Sequence, residues 1–242
     1  MRILALETSV RDASVALLEQ DRLVSQRILA AQQRTASALV PLIAEQLRAA
    51  GWRAEQLELV VVSQGPGSFT GLRVGVTAAK TLAYATRAAV VGVPTLDVIA
   101  AQVDGQVPRL DVVMNAQRQQ VFVACYGSQG AGREPLGSTR ILDNQVWLDT
   151  LANRTPLGEG VEVTPAEMVT GPALHRLREQ IPAVVRIASP EQWSPRAVTL
   201  GRLGYQAYRS GRRDDLWKLV PQYYRLSAAE EVWDTQGKER GE

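Results

Sequence analysis

The chain has one cysteine, Cys125, and one histidine, His175, among its 242 residues. A lone cysteine excludes an internal disulfide. In the apolar run "QVFVACYG" it reads as a small buried strand residue. One histidine and one cysteine cannot build a zinc site or a conventional catalytic triad. Within "ALHRLRE", His175 reads as a helix-surface residue. Lysine is nearly absent too, standing only at 80, 218 and 238, so arginine carries almost all the positive charge. No stretch reaches 18 uninterrupted apolar residues. The opening "MRILALETS" lacks a small-residue cleavage site, so no signal peptide is expected, and a cytoplasmic, membrane-free protein is the default. A net charge of +2 is weak support for a nucleic-acid partner.

Hydrophobic residues make up 45% of the chain, enough for one large or two small cores. Residues 2–7, 13–19 and 23–30 are apolar runs at hairpin spacing and predict an antiparallel meander. Thr35 is placed to cap a helix in which Leu39, Leu42, Ile43 and Leu47 recur at helical spacing. Pro41 lies inside it and Gly51 ends it. Residues 58–63 read as a strand buried on both faces. A helix then runs through "FTGLRVGVTAAKTLAYATR", followed by a strand at 88–94 and a helix at 95–103. The second half repeats the strand-rich opening at 110–115, 120–126 and 133–141. A helix starts near Asp143, a short one lies at 173–180, and a longer one at 195–210 has Pro195 in its first turn. Residues 219–225 read as extended, and the last dozen as frayed. This order predicts an α/β fold of two lobes with mixed sheets flanked by helices, divided as 1–106 and 107–242, with helix 195–210 packing back near the boundary.

The run "GPGSFTGLRVG" at 65–75 sits between a strand and a helix. It is not a Walker A motif, because Lys80 is over two helical turns past Gly71. Nor does it match the dinucleotide fingerprint. Two readings stay open. Gly65, Gly67, Ser68 and Thr70 could meet a phosphate at a helix N-terminus, with Glu7 holding magnesium through water. Equally, the run could be a tight structural turn, with Ser68 or Thr70 as cap. Gly71, Gly75, Ala79 and Ala83 form a ridge of small residues along the helix, which lets another backbone approach closely. Arg202, Arg209, Arg212 and Arg213 make a modest basic patch.

"MRILALETS" together with "GPGSFTGLRVG" resembles the TsaB-type family of bacterial tRNA threonylcarbamoyladenosine biosynthesis, within the actin-like, ribonuclease H-like ATPase superfamily. The resemblance covers most of the chain and returns at "PQYYR" (221–225). It implies a noncatalytic subunit that stabilises a catalytic TsaD-type paralogue, as that paralogue forms threonylcarbamoyladenosine at position 37 of tRNA. A TsaE-type ATPase would dock on the pair, tRNA would be met through the complex, and a homodimer would form when the chain is alone. The paralogue's metal-holding histidine pair would fall near Thr95 and Ile99, neither of which is histidine. No cofactor is then required, although ATP or ADP could bind weakly.

The resemblance also implies an interface on the helices at 35–50 and 70–86, through Val40, Leu47, Gly71, Val74, Gly75, Ala78 and Leu82. The chain departs from the family in three places. Glu7 stands where an aspartate is usual, and Arg34 where a histidine is frequent. Asn115, Gln117, Gln119 and Gln120 stand in a hairpin that often reads Ile-Asp-Ala-Arg-x-Gly-Glu-Val-Tyr. The alternative function is a small-molecule kinase or ATPase of the same superfamily.

Overall fold

A computed structural model describes residues 1–29, 33–103, 107–129, 132–153 and 166–225. Residues 104–106, just before the expected division at 106/107, and the expected frayed terminus lie outside them. The described residues form two mixed sheets. The first has the order β3-β2-β1-β4-β5, with β1 at Arg2–Glu7, β2 at Ser14–Glu19, β3 at Arg22–Ile28, β4 at Leu59–Gly65 and β5 at Ala89–Pro94. The meander pairs antiparallel, while β1, β4 and β5 run parallel.

The parallel strands are apolar on both faces because helices cover both. One face, carrying Leu4, Leu6, Val60 and Val62, packs under α1 (Thr35–Ala49) and α2 (Phe69–Thr86). The other, carrying Ile3, Ala5, Val61 and Val91, is covered by α6 (Ala197–Arg209). Close approach there rests on a missing side chain, since a Cβ at Gly204 would stand 2.3 Å from Val61 Cγ1.

The second sheet has the order β11-β10-β6-β7-β8, with β9 also pairing with β7. Its strands are β6 (Leu110–Asn115), β7 (Gln120–Gln129), β8 (Gly132–Pro135), β9 (Arg140–Asp143), β10 (Met168–Thr170) and β11 (Arg186–Ile187). One face packs on α4 (Asn144–Ala152) and α5 (Leu174–Leu177), with Trp147 and Trp193 buried between. The other packs on α3 (Thr95–Ala100), whose Leu96 and Ile99 belong to this second core while Val98 belongs to the first. Inside the sheet, Arg109 and Asp111 form a buried ion pair, Nε to Oδ1 at 2.8 Å and Nη2 to Oδ2 at 3.2 Å.

Several local expectations are corrected. Thr35 is the first helical residue, not a cap; Arg34 is the capping position and offers no side-chain bond to the helix. Pro195 precedes the capping residue Arg196 and so lies outside the first turn of α6. The helix expected to reach residue 103 ends at Ala100. The largest correction concerns Gly71 and Gly75, expected to face a partner helix. Both are buried inside the lobe, as are Ala79 and Ala83 of the same ridge. Helical spacing identifies a close approach but does not say on which side it occurs.

The β6–β7 turn is strained. Gln117, Arg118 and Gln119 all have positive φ, at 63°, 44° and 57°. The left-handed region costs about 1–2 kcal/mol for a residue with a side chain. The turn is nevertheless pinned: Asn115 Oδ1 accepts from the Gln117 N–H at 2.8 Å, and the Gln119 carbonyl accepts from the Asn144 N–H at 2.8 Å. Gln119 occupies the position where the resembled family often has glycine. Gln119→Gly keeps both main-chain bonds and relieves one strained residue. It should therefore raise unfolding stability by about 0.5–1 kcal/mol, after the extra flexibility of the unfolded chain is set against the relief. A urea titration of both proteins checks this, and a lower midpoint for the glycine variant contradicts it.

Candidate functional site

The glycine run wraps around the chain's own backbone. The segment Thr8-Ser9, which leaves β1, lies against the start of α2. The Ser68 N–H donates to the Ser9 carbonyl at 2.7 Å. A Cβ at Gly67 would stand 2.4 Å from the Ser9 carbonyl oxygen, and one at Gly71 would stand 2.1 Å from that of Thr8. At Gly75 it would meet Thr8 Oγ1 at 2.1 Å. Gly65 has φ 121°, and a Cβ there would reach the Gln222 carbonyl oxygen at 2.6 Å. Ser68 Oγ caps α2 by accepting from the Gly71 N–H at 3.2 Å. The glycines are thus explained by contacts within the fold, which favours the structural-turn reading of the motif.

Glu7 does not join Ser68 and Thr70 at a common site. It is fully buried, while Ser68 and Thr70 are exposed. Its Oε1 accepts from the Ser9 N–H at 2.7 Å and from the Ser9 hydroxyl. Among the described residues, its Oε2 has no hydrogen-bond partner. Burial pushes the carboxyl up from an ordinary 4.5 to about 7, against the opposing pull of the Ser9 bonds. The magnesium-holding arrangement expected of Glu7 needs an ionised carboxylate open to the cleft, and this side chain is sealed away from it.

A cleft of about 290 Å³ lies between the glycine turn and the β6–β7 turn, lined by Pro66, Gly67, Phe69, Gln117, Arg118 and residues 222–225 among others. The segment after α6 closes one side of it. The Gln222 N–H donates to the Gln64 carbonyl at 2.7 Å. Tyr223 stacks on Phe69, with ring centres 4.6 Å apart, and Tyr224 lies 5.9 Å from Phe122 of the second sheet. Arg225 Nη1 donates to the Ala116 carbonyl at 2.7 Å, and Nη2 donates to Gln120 Oε1. Residues 222–225 therefore bond to both sheets at once. The sequence marked 219–225 only as extended. Its one signal was the pair of tyrosines followed by arginine, and spacing does not tell what those side chains reach.

A second, larger cavity of about 570 Å³ runs between α1 and α2 on the outside of the lobe. Val40, Leu47, Val74, Ala78 and Leu82 all line it, so five of the seven expected interface residues share one apolar groove. Val40 is 62% exposed at the edge of this groove, beside the exposed Ala44 of the same helix. Leu47 also belongs to the core, at 7% exposed. Gly71 and Gly75 do not line it, because they face Thr8 instead.

Thr95 and Ile99 are buried on α3. His175 is exposed and lies edge-on to Trp193 at 5.1 Å. Among the described residues, no group of three or more His, Cys, Asp or Glu side chains could hold a metal ion, and no helix is long and apolar enough to cross a membrane.

The family described as "TsaD: tRNA N6-adenosine threonylcarbamoyltransferase" matches residues 29–150, half of the chain. The tRNA threonylcarbamoyladenosine biosynthesis protein TsaB of Bacillus subtilis (strain 168) is 28% identical over 96% of this chain and 98% of its own. The chain belongs to this family, as a TsaB-type member. The TsaB protein of Escherichia coli (strain K12) is 32% identical over 41% of this chain and 43% of its own. In fold the chain is similar to a Pseudomonas aeruginosa structure described as an uncharacterized protein with similarity to peptidase YEAZ. The TM-score is 0.74 at 24% identity, over 93% of this chain and 99% of that one. The shared fold is two mixed sheets flanked by helices. In this TsaB-type chain the glycine turn is filled by Thr8 and Ser9.

Glu7 makes stability depend on pH. Its carboxyl titrates near 7 when folded and near 4.5 when unfolded. The folded state therefore holds the proton more tightly. This group's contribution is complete below pH 4.5, declines as pH rises toward 7, and is gone above it. The full change is on the order of 3 kcal/mol. Glu7→Gln mimics the protonated acid, so the variant should be more stable than the parent at pH 8 and little different at pH 4.5. Urea midpoints at the two pH values measure this. An equal difference at both would show that Glu7 does not titrate in the window.

Proposed function

We propose that this chain is the noncatalytic subunit that binds and stabilises a TsaD-type catalytic paralogue during threonylcarbamoyladenosine formation at position 37 of tRNA. The observation that carries the reading is the apolar groove between α1 and α2, with Val40 62% exposed at its lip. An exposed apolar surface of that kind fits a subunit contact. The partner's corresponding helices would complete a helical bundle across it. In the partner's absence a second copy of this chain covers the same groove, giving a homodimer. A TsaE-type ATPase docks on the pair, and the complex meets tRNA. Nucleotide is not required of this subunit: the Ser68 and Gly71 N–H groups are already spent within the fold, and Glu7 is sealed. The same two facts argue against a small-molecule kinase or ATPase, which would need that acid at the cleft.

The interface substitution must spare the fold, and the inward-facing glycines cannot serve. Gly75→Leu would drive a side chain into Thr8 and should destabilise the lobe by about 3 kcal/mol or more. Val40→Asp places a charge on an exposed position instead. It should leave the circular dichroism spectrum unchanged while weakening association with the paralogue by tenfold or more, since an unpaired charge would be buried in the contact. Calorimetry with the purified paralogue, beside a tRNA modification assay with and without this chain, decides. Undiminished affinity in folded Val40→Asp would remove the groove from the interface, and modification at full rate without the chain would remove the function.

A further inference from the structure

α2 has three faces. One is pressed on Thr8, one borders the groove, and the third carries residues 69, 73, 80, 84 and 87. Of these residues only Arg73 also borders the groove of the partner contact proposed above. It bears Arg73, Lys80 and, at the left-handed cap, Arg87. These recur every seven residues, about 10 Å apart along the axis. The whole helix contains no aspartate or glutamate.

Aromatic rings stand between and beside these cations. Tyr84 is 68% exposed and Trp217 is 74% exposed, with ring centres 5.9 Å apart. Toward the other end, the Arg73 guanidinium lies 3.9 Å from the centre of the Phe69 ring, and its Nε donates to the Tyr223 hydroxyl at 3.0 Å. Lys80 Nζ donates to the Leu219 carbonyl at 3.1 Å, which fixes the strap formed by residues 216–225, Trp217 included, against the helix. The carboxylates nearby are engaged elsewhere. Asp215 accepts from the Trp217 N–H at 2.8 Å and pairs with Lys218 at 3.9 Å. Asp214 accepts from the Gly92 N–H at 2.7 Å and from Arg212.

We infer that this face of α2, with the segment carrying Trp217 and Tyr223, is a binding surface for single-stranded RNA. Exposed rings give bases a stacking platform, and evenly spaced cations on an acid-free helix follow a phosphate backbone. An ordinary protein contact would gain little from cations that, among the described residues, pair with no carboxylate and flank its aromatic centre. The choice of RNA over DNA rests on the proposed tRNA function. The surface itself does not depend on the groove, so the two readings fail separately.

The test uses the full chain alone and a fluorescein-labelled 15-nucleotide oligouridine, read by fluorescence polarisation at several salt concentrations. Binding should weaken about tenfold or more in Trp217→Ala and in Tyr84→Ala, each checked for fold by circular dichroism. The slope of log affinity against log salt should fall by about 0.7 in Arg87→Gln. Three results overturn the inference: no binding at low salt, binding indifferent to all three substitutions, or tighter binding of the matching DNA strand or of duplex RNA. It also fails if Trp217→Ala spares RNA affinity and instead lowers affinity for the paralogue. The face would then be a protein contact.

Discussion

The contact between the Thr8-Ser9 backbone and the start of α2 governs the first lobe. Because Gly67, Gly71 and Gly75 have no side chains, α2 can lie directly on the end of β1. That seating sets which way the remainder of α2 faces. Val74, Ala78 and Leu82 turn to the groove, and Arg73, Lys80 and Tyr84 turn to the strap. It also buries Glu7 beneath the Ser9 turn. A side chain at Gly71 would meet main-chain atoms, which have no alternative rotamer. One close approach thus fixes the groove, the outer face of α2 and the surroundings of a buried acid together.

The glycine turn keeps the outline of a phosphate site while directing its polar groups inward. Ser9 accepts from Ser68 through its carbonyl and donates to Glu7 through both its N–H and its hydroxyl. A motif is identified by residue spacing, but its chemistry depends on whether its donors point to open space. Here the lower-energy partner is the neighbouring segment, so recognition of the family and assignment of a nucleotide site part company.

What was legible in the residues followed from local rules. The strands expected at 2–7 and 58–63 could be read because their centres, residues 3–6 and 59–62, are unbroken apolar runs that helices cover on both faces. Ser68 could be read as a cap because its side chain acts on an N–H three residues away. Distant contacts were not legible in the same way. The ridge of small residues had the right spacing, yet spacing is the same whether the neighbour is a partner helix or the end of β1. Leu47 illustrates the same limit, since it contributes to both the core and the groove. The role of residues 222–225 depends on Phe69, Phe122 and the β6–β7 turn, all remote in sequence. The left-handed run at 117–119 went unread because glutamine and arginine carry no local preference for it.

The placement of α6 bears on the order in which the protein can be made. The first sheet is complete in sequence at Pro94, but the helix covering its Ile3, Ala5, Leu18 and Val61 face begins only at Ala197. As the chain leaves the ribosome, the nascent lobe therefore presents a bare apolar sheet until the second lobe has been synthesised. A face held open for that interval invites association with other nascent chains or with a chaperone. The arrival of α6 closes it, so a helix made late completes the core of the first sheet.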